Sequence, residues 1–351
     1  DAQESRGLGD VYKRQYHNRI NSRTKNVNME ELNNKRMLVK ILEELSSEMN
    51  FEIQFLSEDW ITMIRCNQKV HYIYGYEWGI NSSTSQLIAK DKEAAYEVLS
   101  MNHINAMEHK LFFNYHWQSK YTGKKGCWAE IMRYVQAHQS ENDYRIVCKP
   151  NRGTGGNDIY RITNQWDLEY AVQKMFSKYR DLCLCPYYEI ENEYRAIFLN
   201  GEILLLYSKE RPYVTGNGKD NLVTLVLDKY KEKGFSFLTD LDGELDTILE
   251  EGEQKNISWK HNLGKGAKAV IVKDDDLRNR LNEFVNKVAD VLDITFASID
   301  VAVIGGEFYI VEVNSGIMIE SFARQQPDTD YNYYELTKDI YRKAVGYLLQ
   351  H

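Results

Sequence analysis

Three oxygen-bearing side chains near the carboxyl-terminal end stand out chemically: Asp300, Glu312 and Asn314. Glu312 and Asn314 are two apart in a run of β-forming residues, so on a strand both side chains point to one face. Asp300 lies on the preceding apolar run, across a turn at Gly305-Gly306. Two carboxylates and an amide oxygen on one face of a hairpin make a hard-cation site, suited to Mg²⁺ with phosphate oxygens completing its shell. The neighbours Ile299, Val301, Val303, Ile310, Val311 and Val313 are all apolar, and an uncompensated carboxylate among them is costly. Register decides whether the three converge. A regular two-residue turn pairs Ile304 with Glu307 and Asp300 with Val311, which sends Glu312 to the other face. A three-residue loop pairs Asp300 with Glu312, so the sequence predicts an odd loop or a β-bulge.

A second group is Lys149-Pro150-Asn151-Arg152-Gly153-Thr154-Gly155-Gly156. A strand ends in lysine and a loop with three glycines follows. Such a loop lets backbone N–H groups approach phosphate oxygens while the lysine adds a point charge. It is neither GxxxxGK[ST] nor GxGxxG, since no helix opens directly after the glycines; a plain glycine-rich hairpin turn is the alternative. A third group is Glu193-Tyr194-Arg195, just after Pro186-Tyr187-Tyr188-Glu189. Aromatics beside strand-end backbone suit an adenine, and an acid there can accept ribose hydroxyls. The fourth is cationic: Lys209 and Arg211 after a strand, then Trp259-Lys260-His261-Asn262-Leu263-Gly264-Lys265-Gly266. Lysines and an asparagine beside glycines can neutralise a triphosphate.

The elements that must position these residues follow from periodicity. Apolar residues at three- and four-residue spacing predict helices from Met29 through Leu45, through Ile88 to Leu99 behind a Ser82–Ser85 cap, and over 128–138, 168–179, 222–232, 275–292 and 333–349. Strands are expected at 51–55, 70–76, 145–149, 159–162, 182–188, 193–198 and 202–208, with a hairpin over 296–304 and 308–313. The chain of 351 residues, with 44 basic and 52 acidic side chains and a net charge of -8, has the composition of a soluble globular protein. The acidic balance argues against a general nucleic-acid binder. No apolar run approaches the ~20 residues of a membrane helix. Five cysteines (Cys66, Cys127, Cys148, Cys183, Cys185) without a CxxC pair read as reduced thiols of a cytoplasmic protein. The opening Asp1–Gln15 has no apolar segment of the kind a signal peptide needs and reads as a translated adapter or assembly scar.

In this order, the features resemble the ATP-grasp superfamily over about residues 85–345: Asp91-Lys92 on a helix, KPNRGTGG, EYR followed by Gly201-Glu202, WKHNLGKGA, and SIDVAV…FYIVEVNSG. Within it the chain is most similar to RimK-type glutamate ligases, cyanophycin synthetase and glutathione-synthetase-like carboxylate–amine ligases. Val214-Thr215-Gly216-Asn217-Gly218-Lys219 resembles a VTGDGK segment of the cyanophycin-synthetase group. The resemblance implies an α/β (α+β) fold: a non-native or disordered lead-in at 1–28, a small reduced α/β domain at 29–90, a lid subdomain at 91–182 and a metal- and nucleotide-binding subdomain at 183–351. It implies that Lys92 and Lys149 touch phosphates under a flap of Gly153, Gly155 and Gly156. Tyr187 and Tyr188 would hold adenine and Glu193 ribose. Lys209, Lys260 and Asn262 would line the triphosphate and the transferring phosphoryl group. Asp300, Glu312 and Asn314 would hold two Mg²⁺ ions, with Mn²⁺ an alternative. The implied activity is ADP-forming ligation of small-molecule or peptide carboxylates and amines, with no nucleic-acid or membrane partner and the oligomeric state open. A non-ligating ATP-binding module and an ATP-grasp kinase are the alternatives. The chain departs from the family at Cys185-Pro186-Tyr187-Tyr188, where Gln or Glu usually precedes the aromatic, at Lys260, where arginine is common, and at Gly316–Glu320, where a small-Pro-Gly turn is usual.

Overall fold

The computed structural model describes residues 35–114, 126, 128–139, 143–153, 155–238, 240–241, 244–325 and 331–350. The expected lead-in, Cys127 and Thr154 lie outside them. The chain divides into two compact units at Lys40/Ile41, inside the first helix, and the candidate site lies wholly in the second.

Helix α1 (Met37–Met49) precedes an antiparallel meander of β1 (Glu52–Leu56), β2 (Ile61–Cys66) and β3 (Lys69–Tyr74). The helix expected to run unbroken from the Ser82 cap is two: α2 (Ser83–Lys90) and α3 (Lys92–Met101). Asp91 breaks it, because its carboxylate accepts the Ala94 amide at 3.1 Å and so opens a new helix. Lys92 therefore stands in the first turn of α3.

A four-stranded antiparallel sheet of order β4-β7-β5-β6 is built from β4 (Lys110–Phe113), β5 (Ile146–Lys149), β6 (Tyr160–Ile162) and β7 (Asp181–Pro186). Alternation explains it: Phe112, Ile146, Cys148, Ile162, Leu182 and Leu184 share a core with helices α4 (Trp128–His138) and α5 (Gln165–Lys178). The intervening residues, Lys149 among them, point the other way. Residue 182 lies inside β7, which pairs with both β4 and β5, so this sheet extends to Pro186.

The larger sheet has the order β12-β9-β8-β13-β14. Strands β8 (Asn192–Leu199) and β9 (Glu202–Glu210) come first; β10 (Tyr213–Thr215), α6 (Leu222–Tyr230) and β11 (Gln254–Asn256) interrupt it; and β12 (Lys268–Ile271), α7 (Asp275–Leu292), β13 (Phe296–Ile304), β14 (Glu307–Asn314) and α8 (Tyr333–Gln350) complete it. Its helix-facing residues are Tyr194, Ala196, Phe198, Leu206, Ala297, Ile299, Val301 and Val313, packed on Leu281, Val285, Val288 and Leu292 of α7. Burying each such side chain stabilises by about 1.5–3 kcal/mol. The period of two on the strands and of three to four on α7 leaves every intervening strand residue on the opposite face. That face carries Arg195, Lys209, Asp300 and Glu312.

Candidate functional site

The β13–β14 hairpin turns at Gly305 and Gly306, both at positive φ (59° and 79°), and pairs Ile304 with Glu307. A two-residue turn alone would misplace Glu312. A bulge between Asp300 and Val301 restores the register: Val301 pairs with Ile310 and Asp300 with Glu312. Asp300 is in turn the partner of Arg195 on β8, and Arg195 of Tyr207 on β9. The result is one row, Tyr207–Arg195–Asp300–Glu312, across four strands.

Arg195 holds Asp300 in a fork, Nε to Oδ1 at 2.7 Å and Nη2 to Oδ2 at 2.6 Å. Lys209, on β9, places its ammonium 2.6 Å from Glu193 Oε1 and 2.7 Å from Asp300 Oδ2. Asp300 is 2% exposed, and burial alone would raise its carboxyl; Arg195 and Lys209 outweigh burial and hold it below the usual carboxylate range. Burial and Arg195 depress the Lys209 ammonium, but Asp300 and Glu193 leave it net raised. Glu193 is thus committed to Lys209 in this state. Glu312 is the accessible member, with 26% of its side chain exposed. One of its oxygens accepts from Asn314 Nδ2 at 3.0 Å and the other lies 3.6 Å from Lys92. Burial pushes its carboxyl up, and Lys92, Asn314 and Arg195 bring it net below its ordinary value.

Lys92 ties three elements together. Its backbone amide donates to Asn151 Oδ1, and its ammonium to the carbonyls of Asn151 (3.2 Å) and Gly153 (3.3 Å). Lys149, at the end of β5, is 8% exposed and has no ion-pair partner among the described residues. Beside these lysines, His109 Nε2 and Asn151 Nδ2 are buried without a hydrogen-bond partner among the described residues. His109 donates through Nδ1 to the Met107 carbonyl at 2.8 Å, so its neutral ring leaves Nε2 as an acceptor. Burial first, then Lys149 and Lys92, keep that ring neutral. Gly153 lies against Pro150, Gly155 has φ +72°, and a Cβ on Gly156 would stand 2.4 Å from Asn262 Nδ2. Asn262 therefore meets the glycine loop directly.

Tyr187 and Tyr188 both pack against an apolar cluster that includes Val147, Cys185, Ile159 and Trp259. Tyr188 accepts the Glu108 amide through its hydroxyl at 3.1 Å, and burial pushes that hydroxyl up to about 12. Lys260 stands apart from the carboxylate row: its ammonium is 4.0 Å from Asp240 and 5.3 Å from the Trp259 ring centroid. Sequence reasoning quoted Arg195 but gave it no role. Its place two residues after Glu193 on a strand was the available signal. His109 and Asn151 carried no comparable one.

Among the described residues no three or more His, Cys, Asp and Glu side chains gather as for a metal ion. The candidate set has two carboxylates and one amide, and the donors fit a hard cation. A carboxylate offers about four lone-pair sites. Asp300 gives three to Arg195 and Lys209, which leaves one on Oδ1. Glu312 keeps the oxygen facing Lys92, and Asn314 uses its nitrogen on Glu312 and keeps its amide oxygen.

No family model matches the chain. It is similar to the cyanophycin synthetase of Geminocystis herdmanii, at 26% identity over 206 residues, which take in 50% of this chain and 22% of that protein. A cyanophycin synthetase of Synechocystis sp. is 25% identical over 222 residues, 54% of this chain and 24% of that protein. The match thus spans less than a quarter of either relative's length. A bifunctional glutathione synthetase from Pasteurella multocida shares the fold, with a TM-score of 0.51 at 14% identity, over 88% of this chain and 44% of that one. The architecture is the ATP-grasp fold.

Proposed function

We propose that this protein, built on the ATP-grasp fold, is an ATP- and Mg²⁺-dependent carboxylate–amine ligase that forms amides of amino acids or peptides and releases ADP. The observation that carries the reading is the Arg195–Asp300–Glu312 row with Lys92 bridging Glu312 to the glycine loop. It brings two carboxylates, an arginine and a lysine together from β8, β13, β14 and α3, a set suited to a cation and phosphates. Sequence similarity to cyanophycin synthetases supports the choice of ligation.

Asp300, Glu312 and Asn314 would hold Mg²⁺, which when bound neutralises phosphate charge and polarises the transferring group. Within the network the three carboxylates Glu193, Asp300 and Glu312 are matched by Lys92, Arg195 and Lys209. The internal charges of that network therefore cancel, which leaves Lys149 and the bound cations to balance the phosphates.

The chain's own groups position the reactants. Lys149, buried and unpaired among the described residues, meets phosphate in the ground state. Gly153, Gly155 and Gly156 close over the phosphates. Tyr187 and its apolar neighbours take the base, and Tyr188 braces that wall against residue 108. Glu193 faces the ribose once Lys209 turns to phosphate, and Asn262 holds the glycine loop over the transferring group. The γ-phosphoryl group passes to a substrate carboxylate, the amine displaces phosphate from the acyl phosphate, and the amide forms. No protein nucleophile is needed; catalysis is positioning and electrostatics.

Release of ADP on addition of a carboxylate and an amine, across a panel of amino acids and peptides, tests the reading. ADP release that needs an acid but no amine points instead to phosphoryl transfer alone. Mg·ATP binding with no ADP release anywhere on the panel leaves a binding module.

A further inference from the structure

The lid sheet presents a second row on its cleft face. Arg161 on β6 is the cross-strand partner of Val147 on β5, and Val147 of Cys185 on β7. Lys149 stands two residues from Val147 on the same strand, about 7 Å along the same face. One end of the face is cationic. The other is apolar, where Val147 and Cys185 are buried and cluster with Ile159, Tyr187 and Trp259.

At that apolar end the Arg161 guanidinium lies over the Tyr187 ring, 4.3 Å from its centroid, while Trp259 meets the ring edge-on at 6.0 Å. A guanidinium over a ring face is held there by cation–π attraction. Arg145 also reaches Tyr187, at 5.9 Å, but is paired with Glu189 at 3.2 Å. Arg161 has no side-chain hydrogen bond or ion pair to another described residue. Its N–H donors are uncommitted among the described residues, beside Tyr187 at the apolar end of this face.

We infer that Arg161 reads the nucleotide base, donating an N–H to N7 on the purine edge. The inference rests on the cleft being a nucleoside triphosphate site. On that edge adenine offers one acceptor, N7, beside its amino donor, whereas guanine offers N7 and O6. Arg161 therefore selects purines over pyrimidines and does not by itself exclude guanine.

The test pairs a change in the ligand with a change in the protein. Affinities for ATP and for 7-deaza-ATP, which carries C–H in place of N7, are measured by calorimetry. The proteins are the full chain and Arg161→Met, which keeps an unbranched stem over Tyr187. The parent should bind 7-deaza-ATP about tenfold more weakly than ATP, as expected for loss of one charge-assisted hydrogen bond. Arg161→Met should bind the two equally. Equal binding of the two nucleotides by the parent, a measurement that needs no variant, overturns the inference. So does the same penalty in parent and variant. Absence of ATP binding by the parent overturns the nucleotide reading itself, a separate outcome.

Discussion

Arg195 and Asp300 face each other across β8 and β13, joined by two parallel hydrogen bonds of 2.7 and 2.6 Å. The pair lies at the centre of the charged row, and neither partner is well placed without the other. Because Asp300 is 2% exposed, the arginine cannot be replaced by water.

Arg195→Met leaves that carboxylate with Lys209 alone and should cost about 3–5 kcal/mol, the usual penalty for breaking a buried pair from one side. Arg195→Lys keeps the charge but loses the fork and should fall between. Urea denaturation of the three proteins measures it. A loss below about 1 kcal/mol for Arg195→Met would mean that solvent reaches Asp300.

The same pair sets a pH dependence. The folded-state pKa of Asp300 is depressed from 3.8 to about 2. A depressed carboxylate contributes stability that is present above its unfolded pKa and is lost as pH falls through the folded one. Stability should therefore drop between about pH 4 and about pH 2. Asp300→Asn should lower stability at neutral pH and flatten this part of the curve. Denaturant titrations at a series of pH values check both; an unchanged acid limb in Asp300→Asn would contradict the assignment.

Gly156 tests the contact between the glycine loop and Asn262. It has φ +67°, and a Cβ there would stand 2.4 Å from Asn262 Nδ2. Gly156→Ala should push the loop off Asn262 and weaken ATP binding by about tenfold, and the left-handed backbone adds a strain of about 1–2 kcal/mol. Hydrogen exchange at 151–153 and 155–158 with and without an ATP analogue reads the loop directly. Protection on binding in the parent, reduced in the variant, is expected. Equal protection in both would separate the loop from the nucleotide.

Much of this was legible in the sequence, for local reasons. Helix α7 starts behind Asp274, whose carboxylate accepts the Leu277 amide, and ends at Asp293 in a left-handed conformation, so cap and period both mark Asp275–Leu292. The need for an odd loop or bulge followed from counting residues between Asp300 and Glu312, and a bulge is what the hairpin contains. Strands β2, β4, β10, β11 and β12 were not anticipated; β4 and β12 are four residues long and are held by pairing with β7 and β9, far along the chain. The break at Asp91 was missed because one aspartate fits equally inside a helix and before one. The grip of Arg195 on Asp300 spans 105 positions and depends on which strands are neighbours, which periodicity does not reveal.

Glu312 is the more accessible carboxylate of the row and the decisive position. Glu312→Gln removes one charge and halves its capacity as a cation ligand where several phosphate charges must be balanced. Amine-dependent ADP production, measured alongside ATP affinity, is the deciding experiment. Turnover should fall by about 10²-fold or more while ATP affinity changes little, because the lost contact matters mainly in the transition state. Lys149→Ala, by contrast, should weaken ATP binding itself. If Glu312→Gln turns over like the parent, the metal assignment is wrong and the ligase reading loses its strongest support.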